Sequence, residues 1–486
     1  MSHECSEVTG LFNSAQRGRG RQYAEARVAP LADHAAAFSS HDQKDQVVTL
    51  AEHPPKSGDD LDASRSGRAL DPWRKYSRWL AGIGVVVVAA RLPFLQLLTL
   101  GDVGALAMTP VWWASARRVR AAVPLFAIGL LCVPVGLLLT ERSALDHQLS
   151  RGLFFNSAAL MVGLLATVGF LLWAREQLGS ANVAIAFGVG LFLRIDTSNS
   201  LFSSNPWKFG YSTPVTVLSL ALLYRWAGRR LELALLIVLS VACLFADSRS
   251  ALGILMLAAA ALAWQLRPRT HNRAGSATRV LLGSSLALVA VYYLAQALVL
   301  GGALGSVTQA RSQAQVREAG SLIVGGRPEL LASLHLIADN PLGPGAGARP
   351  NLHEISVAKT AMSRIQYDPN NGYVERFMFG NGYSLHSVVG DLWAQWGLIG
   401  LLFVGFCVAL VLRRTSVGVA LGTVPAITLY LAASLLWNVF FSPWYGSLRL
   451  FSLTLALVLV AGSKGDGRVP RSPGRHTGAD DPRSPD

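Results

Sequence analysis

The run His386-Ser-Val-Val-Gly-Asp-Leu-Trp-Ala-Gln-Trp-Gly397-Leu-Ile-Gly400 sets a titratable imidazole where a polar segment, 301–386, gives way to an apolar one. Histidine is the side chain whose unperturbed pKa lies near neutrality, so His386 can take a proton from a hydroxyl. Two arginines stand in distinctive surroundings: Arg249 in Asp247-Ser-Arg249-Ser-Ala-Leu and Arg327 in Gly325-Gly-Arg327-Pro. Each offers a planar, always-charged fork that matches the oxygens of a phosphate. Lys208, in Asn205-Pro-Trp-Lys-Phe-Gly-Tyr211, is a lesser phosphate candidate. Asp391 lies inside the apolar run after His386, where a carboxylate is expensive and normally partnered. It can tune His386, bind an arginine, or contribute to substrate binding. Together these residues suggest proton transfer beside a bound anion.

Each of these residues also has an ordinary structural use. A histidine at a helix end can cap it, and an arginine at a membrane edge can anchor or snorkel. Arg249 has Asp247 close by as a ready partner, and Arg327 can be a solvated residue ahead of a helix. The turn Gly343-Pro-Gly-Ala-Gly347 can hold a phosphate through its N–H groups or simply reverse the chain. Trp207, Tyr367, Tyr373, Phe377, Tyr383 and Trp393 suit either sugar rings or a membrane interface. No metal is expected: the cysteines Cys5, Cys132, Cys243 and Cys407 have no metal-binding spacing, and the polar segment carries no paired acidic motif. No cofactor is expected either.

The elements that must position these residues are membrane helices. Hydrophobic residues make up 51% of the chain and charged residues 15%, with a mean hydropathy of +0.38, less charge than a soluble domain of this length carries. Apolar stretches near the bilayer-spanning length recur at 78–91, 97–116, 121–140, 152–174, 181–195, 211–227, 231–246, 249–266, 279–300, 387–412, 417–438 and 446–463. The expected fold is an all-α polytopic membrane protein of about twelve transmembrane helices. The first two stretches, interrupted by Arg91-Leu-Pro93 and Gly101-Asp102, can form a short or re-entrant pair. Residues 77–463 are expected to form the membrane domain, flanked by polar, disordered tails at 1–76 and 464–486.

The formal charge of +14 lies in the membrane region rather than in the tails. With the N-terminus inside, the inner loops hold Arg117, Arg118, Arg120, Arg175, Arg225, Arg229, Arg230, Arg267, Arg269, Arg273, Arg279, Arg413 and Arg414. The short outer loops and helix ends hold only Arg91, Arg142, Arg151, Arg194, Lys208 and Arg249. That asymmetry favours two cytoplasmic termini and an extracytoplasmic loop at 301–386. It also argues against nucleic acid as a partner, because such clusters beside apolar spans are topology signals. Within the loop, Pro328 marks a helix start, Leu330, Leu331, Leu334 and Ile337 recur at helical spacing, and Pro341 sets the end. The stretch 367–383, rich in Asn, Gly, Tyr and Phe, reads as an ordered or mobile loop near a site.

His386-Ser387 followed by Gly397 and Gly400 resembles the signature of the O-antigen ligase and polysaccharide polymerase superfamily. Arg327 with Leu331, Asn340-Pro-Leu-Gly343 with Gly345-x-Gly347, Asp247-Ser-Arg249-Ser-Ala and, more weakly, Asn205 to Tyr211 are similar to further segments of that superfamily. Trp396 departs from it, since many relatives carry an acidic residue before the glycine. The resemblance implies a GT-C-like glycosyltransferase of the cytoplasmic membrane. It would move a glycan from a polyprenyl-diphosphate donor to a lipid or glycan acceptor at the outer face, without a metal and with inversion. His386 would then be the base, and Arg249, Arg327 and Lys208 would hold the diphosphate. A polymerase of the same superfamily shares these motifs. A transporter or flippase of lipid-linked sugars fits the helix count, but it would place its polar site near the bilayer midplane and often show inverted repeats.

Overall fold

The computed structural model describes residues 72–94, 98–267, 301–302, 306–320, 325–380 and 382–459, with isolated positions between 280 and 300. All of them belong to one unit, Ala69–Asp486. Most of the tail expected over 1–76, the tail expected over 464–486 and most of the span expected at 279–300 lie outside the described residues.

Among the described residues the chain forms helices and no strand, with two isolated bridges, Pro93 to Thr99 and Leu149 to Ala348. Leaving aside the single turn Ser200–Ser204, the described helices begin with α1 (Pro72–Ala90), α2 (Leu100–Ala107), α3 (Thr109–Ala116), α4 (Ala122–Arg142), α5 (Arg151–Leu178), α6 (Ser180–Phe192), α7 (Ser212–Trp226), α8 (Arg229–Phe245) and α9 (Arg249–Leu266). The polar segment contributes α10 (Ser306–Ala319), α11 (Glu329–Asp339) and α12 (Leu352–Ser363). The chain then continues through α13 (Val388–Leu421), α14 (Ala426–Phe441) and α15 (Trp444–Val458). Four stretches are long and apolar enough to cross a membrane: Ala122–Leu145, Arg151–Leu178, Arg249–Leu266 and Val388–Leu421. The helices α6, α14 and α15 are apolar but shorter.

Two boundaries differ from the sequence expectation for local reasons. The stretch 97–116 is broken at Met108, ahead of Thr109-Pro110, because a proline favours the first turn of a new helix. Helix α13 runs on through Arg413 and Arg414 to Leu421, where Gly422 in the left-handed conformation caps it. The arginine pair carries no backbone signal to stop a helix; the glycine does. Gly397 breaks the helical geometry inside α13, and the part after it, 398–421, is about 36 Å long, enough for the roughly 30 Å of a hydrocarbon core.

Polar side chains fasten the helix ends in a consistent order. At one side, Arg175 near the end of α5 donates to the carbonyl of Ala456 near the end of α15. Ser115 of α3 donates to Glu176 at 2.7 Å, and Arg118 pairs with the same carboxylate at 3.6 Å. Gln265, near the end of α9, bonds both the N–H and the carbonyl of Val424 at 3.2 Å and accepts from Arg229. Glu232 accepts from the N–H of Ala426. The tight connection Ser442-Pro443 makes α14 and α15 a helical hairpin, so the start of α14 and the end of α15 share a side. Arg249, which begins α9, and the turn before α13 fall at the opposite helix ends.

The polar segment builds its own core. Ala332, Leu336, Ala358, Met362, Val374, Met378, Phe379 and Leu385 pack together against Trp393 and Ala394 of α13. On α11 the buried positions are Ala332, Ser333 and Leu336, while Leu334 of the expected leucine face is exposed, so the buried face is turned from the one that the leucine spacing picks out. The stretch 367–383 is therefore anchored through Val374, Met378 and Phe379. The segment meets α13 at a kink: Gly397 has φ +59° and ψ −140°, and a Cβ there would lie 2.2 Å from the carbonyl oxygen of Leu342. Gly343, at φ +79°, answers it from the other side, 2.4 Å from the Trp393 carbonyl oxygen if it carried a Cβ.

Gly397→Ala is expected to lower the melting temperature of the detergent-solubilised protein, corresponding to about 1–3 kcal/mol of strain and overpacking. Thermal unfolding measures it, and an unchanged melting temperature would show that the kink tolerates a side chain.

Candidate functional site

His386 occupies the last residue but one before α13. Its backbone is in the left-handed region, φ +52°, uncommon for a residue with a side chain. The turn is held by its neighbours. Ser387 caps α13 by accepting the N–H of Gly390 at 2.9 Å. Asp391, only 3% exposed, accepts the N–H of Leu385 at 2.6 Å through one oxygen and the N–H of Trp444 at 2.8 Å through the other. A single carboxylate thus binds the residue before His386 to the first residue of α15. The arginine partner and the substrate contact considered for Asp391 do not match this arrangement, because both oxygens are committed to backbone donors. The position in the first turn of α13 suits an anion.

The imidazole itself is half-buried and makes no hydrogen bond among the described residues; its Nδ1 is enclosed without a partner. One face stacks on Tyr373, with ring centroids 6.0 Å apart and planes 30° from parallel. Tyr373 donates its hydroxyl to Glu329 Oε1 at 2.5 Å, and Tyr367 and Phe377 pack on the same ring. Burial, followed by the charge of Glu329, pushes the Tyr373 hydroxyl well above its ordinary range, so it remains a donor. Glu329 is buried at the start of α11, and its second oxygen has no partner among the described residues. Ser333, one turn on, reaches the carbonyl of Leu385 at 3.5 Å. Arg327 stands two residues before Glu329, half-buried, with its charge felt at Tyr373. The structure therefore gathers His386, Arg327, Tyr373 and Glu329.

Arg249 and Lys208 belong to a second cluster. Arg249 donates to Asp247 at 3.3 Å and to Ser312 of α10 at 3.0 Å, which ties the start of α9 to the polar segment. Asp247 has a left-handed backbone, φ +47°. Lys208 sits on the turn Trp207–Tyr211, its amine 5.3 Å from the Phe209 ring centre. That turn is pinned to the end of α8: Asn205 donates to the Ala246 carbonyl at 2.7 Å, and Trp207 donates to Cys243 Sγ at 3.4 Å. The two motifs, distant in sequence, are adjacent in space.

The glycine turn does not form a phosphate cradle. Gly343 N–H donates to Asn340, Gly345 N–H to the carbonyl of Ala394, and Gly347 N–H to the Thr140 hydroxyl. Those donors are fully used in seating the turn between α4 and α13, where Ala346 and Ala348 are buried. Trp396, at the position where the resemblance leads one to expect an acid, is wholly buried, and a Cβ on Gly136 of α4 would lie 2.3 Å from it. Trp393 is core as well, with its indole N–H donating to the Pro341 carbonyl at 3.2 Å.

Sequence reading misses one polar network altogether. His147, its side chain 4% exposed, lies between Asp146 at 2.6 Å and Glu354 at 3.2 Å, and Tyr383 donates to the same Glu354 oxygen at 2.5 Å. Asn351 and Glu354 form a capping box at the start of α12, the one local signal in the chain that singles out Glu354. His147 lies too far away in sequence to signal its part. No family model, curated protein or solved structure matches the chain. Among the described residues the fold is helical, with four stretches of membrane-crossing length and clusters of histidine, acidic and cationic side chains at helix ends.

Asp391→Asn leaves one of the two backbone donors facing an amide NH2. A loss of about 1–3 kcal/mol is expected, together with loss of whatever activity His386 carries. Thermal unfolding of the variant checks this, and a wild-type melting temperature would mean that the carboxylate is not the clamp described.

Proposed function

We propose that the chain is a membrane glycosyltransferase that moves a glycan from a polyprenyl-diphosphate donor to an acceptor hydroxyl at the outer face of the cytoplasmic membrane. The observation that carries the reading is His386: an imidazole without a hydrogen-bond partner among the described residues, fixed by a left-handed turn and the Asp391 clamp, and stacked on Tyr373, which lies within electrostatic range of Arg327. His386 takes the proton of the acceptor hydroxyl as its oxygen attacks the anomeric carbon. The bond from that carbon to the diphosphate oxygen breaks, and the departing negative charge is met by guanidinium forks. Arg327 and Arg249 are the residues proposed for this, with Lys208 adding charge. Inversion and independence from metal follow the superfamily resemblance.

The proposed topology has about twelve spans, both termini in the cytoplasm and 301–386 outside. It draws support from the helix ends. Arg118, Arg175 and Arg229 are fastened on the side opposite Arg249 and His386, as the basic asymmetry requires. Ligase and polymerase share this chemistry and differ in the acceptor. The reading favours a ligase slightly, on the His-Ser motif and the one dominant outer segment. A transporter is less well supported, because the polar residues collect at helix ends rather than midway.

His386→Gln keeps a hydrogen-bonding side chain but cannot take the proton, and glycan transfer by the purified protein should fall by about 10²–10⁴-fold with donor binding retained. Arg249→Lys and Arg327→Lys should also lose most activity, since lysine cannot make the planar two-point contact. A fully active His386→Gln variant would remove His386 as base.

Thr360 is exposed on α12, and Thr360→Cys should react with a membrane-impermeant thiol reagent in intact cells. Labelling only after lysis would reverse the orientation.

A further inference from the structure

Arg91, Arg194 and Arg449 come together from three separate helices. Arg91 follows α1 directly, Arg194 follows α6, and Arg449 lies in the second turn of α15. The ends of α1 and α6 meet closely: a Cβ on Gly190 would lie 2.4 Å from the carbonyl oxygen of Val86 and 2.6 Å from Ala89. Arg91 reaches toward α15, its guanidinium 5.2 Å from the ring centre of Tyr445, one turn before Arg449. Arg91 and Arg449 line one small cavity, and Arg449 lies within electrostatic range of both Arg91 and Arg194.

Among the described residues none of the three arginines has a carboxylate within ion-pair distance. Two acids stand near them: Asp102, which lines the same cavity, and Asp196, which lies within electrostatic range of Arg194. The oxygens of Asp102 are occupied by the Thr99 N–H and hydroxyl and by the Thr167 hydroxyl. Counting Asp102 and Asp196 against them, three positive charges minus two leaves a net charge of +1. Like charges held together in an apolar helical setting repel strongly, and an ionised residue on an apolar helix normally has a partner. Arg91 also has a left-handed backbone, φ +46°, as His386 and Asp247 do. A partner with negative charge and several oxygens answers both the excess and the unpaired guanidinium forks. Phosphate fits, because such forks bind its oxygens in pairs.

We infer that Arg91, Arg194 and Arg449 form a binding site for a phosphate group, separate from the Arg249 and Arg327 clusters. The cluster lies at the end of α1 away from Ser77, which bonds Gln177 at the side of the array where α5 ends. It therefore shares a side with His386 and Arg249. The phosphate has three sources of the same chemistry: a polyprenyl diphosphate, an anionic phospholipid headgroup, or free pyrophosphate.

The test is thermal stabilisation and native mass spectrometry of the detergent-solubilised full chain with three probes: polyprenyl diphosphate, phosphatidylglycerol and inorganic pyrophosphate. At least one should bind and raise the melting temperature. Arg449→Gln and Arg194→Gln should each weaken that binding by about tenfold or more, the effect of losing a charged hydrogen bond. Without probe, Arg449→Gln should be as stable as the wild type or more so, since it relieves repulsion. Arg194 is exposed, so its variant reports on binding even if the Arg449 variant misfolds. Binding of pyrophosphate identifies a free-anion site, and binding of one lipid alone identifies that headgroup. Replacing Arg249 and Arg327 together by Gln should leave intact the binding that Arg449→Gln weakens, which separates the site from the proposed donor site. If no probe binds, or if binding is unaltered in both arginine variants, the inference is wrong.

Discussion

The carboxylate of Asp391 is the point on which the site depends. It is buried in the first turn of α13, yet both of its oxygens are satisfied by backbone N–H groups, those of Leu385 and Trp444. A buried charge tolerates this only when its lone pairs are met, and bonds to a charged acceptor are about twice as strong as neutral ones. Those two bonds join three pieces of chain: the end of the polar segment, the start of α13 and the start of α15. His386 lies between Leu385 and the Ser387 cap, so its left-handed backbone is set from both sides. Asp391 acts on the imidazole only through that backbone.

A second constraint is how closely the polar segment approaches α13. Gly343 and Gly397 face each other across a contact that leaves no room for a side chain on either. The contact brings Trp393 and Ala394 into the core of the polar segment, so that segment and the long helix share one hydrophobic cluster. Glu329 and Tyr373 are carried to His386 as a consequence. The N–H groups of the glycine turn are consumed in making the same contact, and this is why a motif suited to phosphate serves packing here.

The charged groups are sorted along the helices. Glu232, Gln265, Arg175 and Arg229 fasten the ends on one side, each bonded to a backbone or polar partner from another helix. On the other side Arg249 is paired with Asp247, while the trio Arg91, Arg194 and Arg449 has no carboxylate within ion-pair distance among the described residues. In a helical array with little water between its members, such an excess is stable only if something anionic is bound or if solvent reaches it.

The helices themselves were legible in the sequence. Apolar runs of bilayer length, Pro328 and Pro341 around α11, and Arg249 at the start of α9 lead to boundaries that the structure reproduces within a few residues, because such signals act through the local backbone. Where the expectation failed, as at Arg413 and Arg414, a charge pattern had been read as a backbone signal. The position of His386 at a helix start was also local and visible. Its surroundings were not. The Asp391 bond to Trp444, the Tyr373 link to Glu329, the His147 to Glu354 pair and the meeting of Arg91 with Arg449 join residues with little or no sequence signal of each other. Such pairings carry no periodicity, since they are fixed by how whole helices pack. Sequence alone determined which residues could do chemistry. Tertiary structure decided which of them stand together, because side-chain partners are set by packing of helices and not by spacing along the chain.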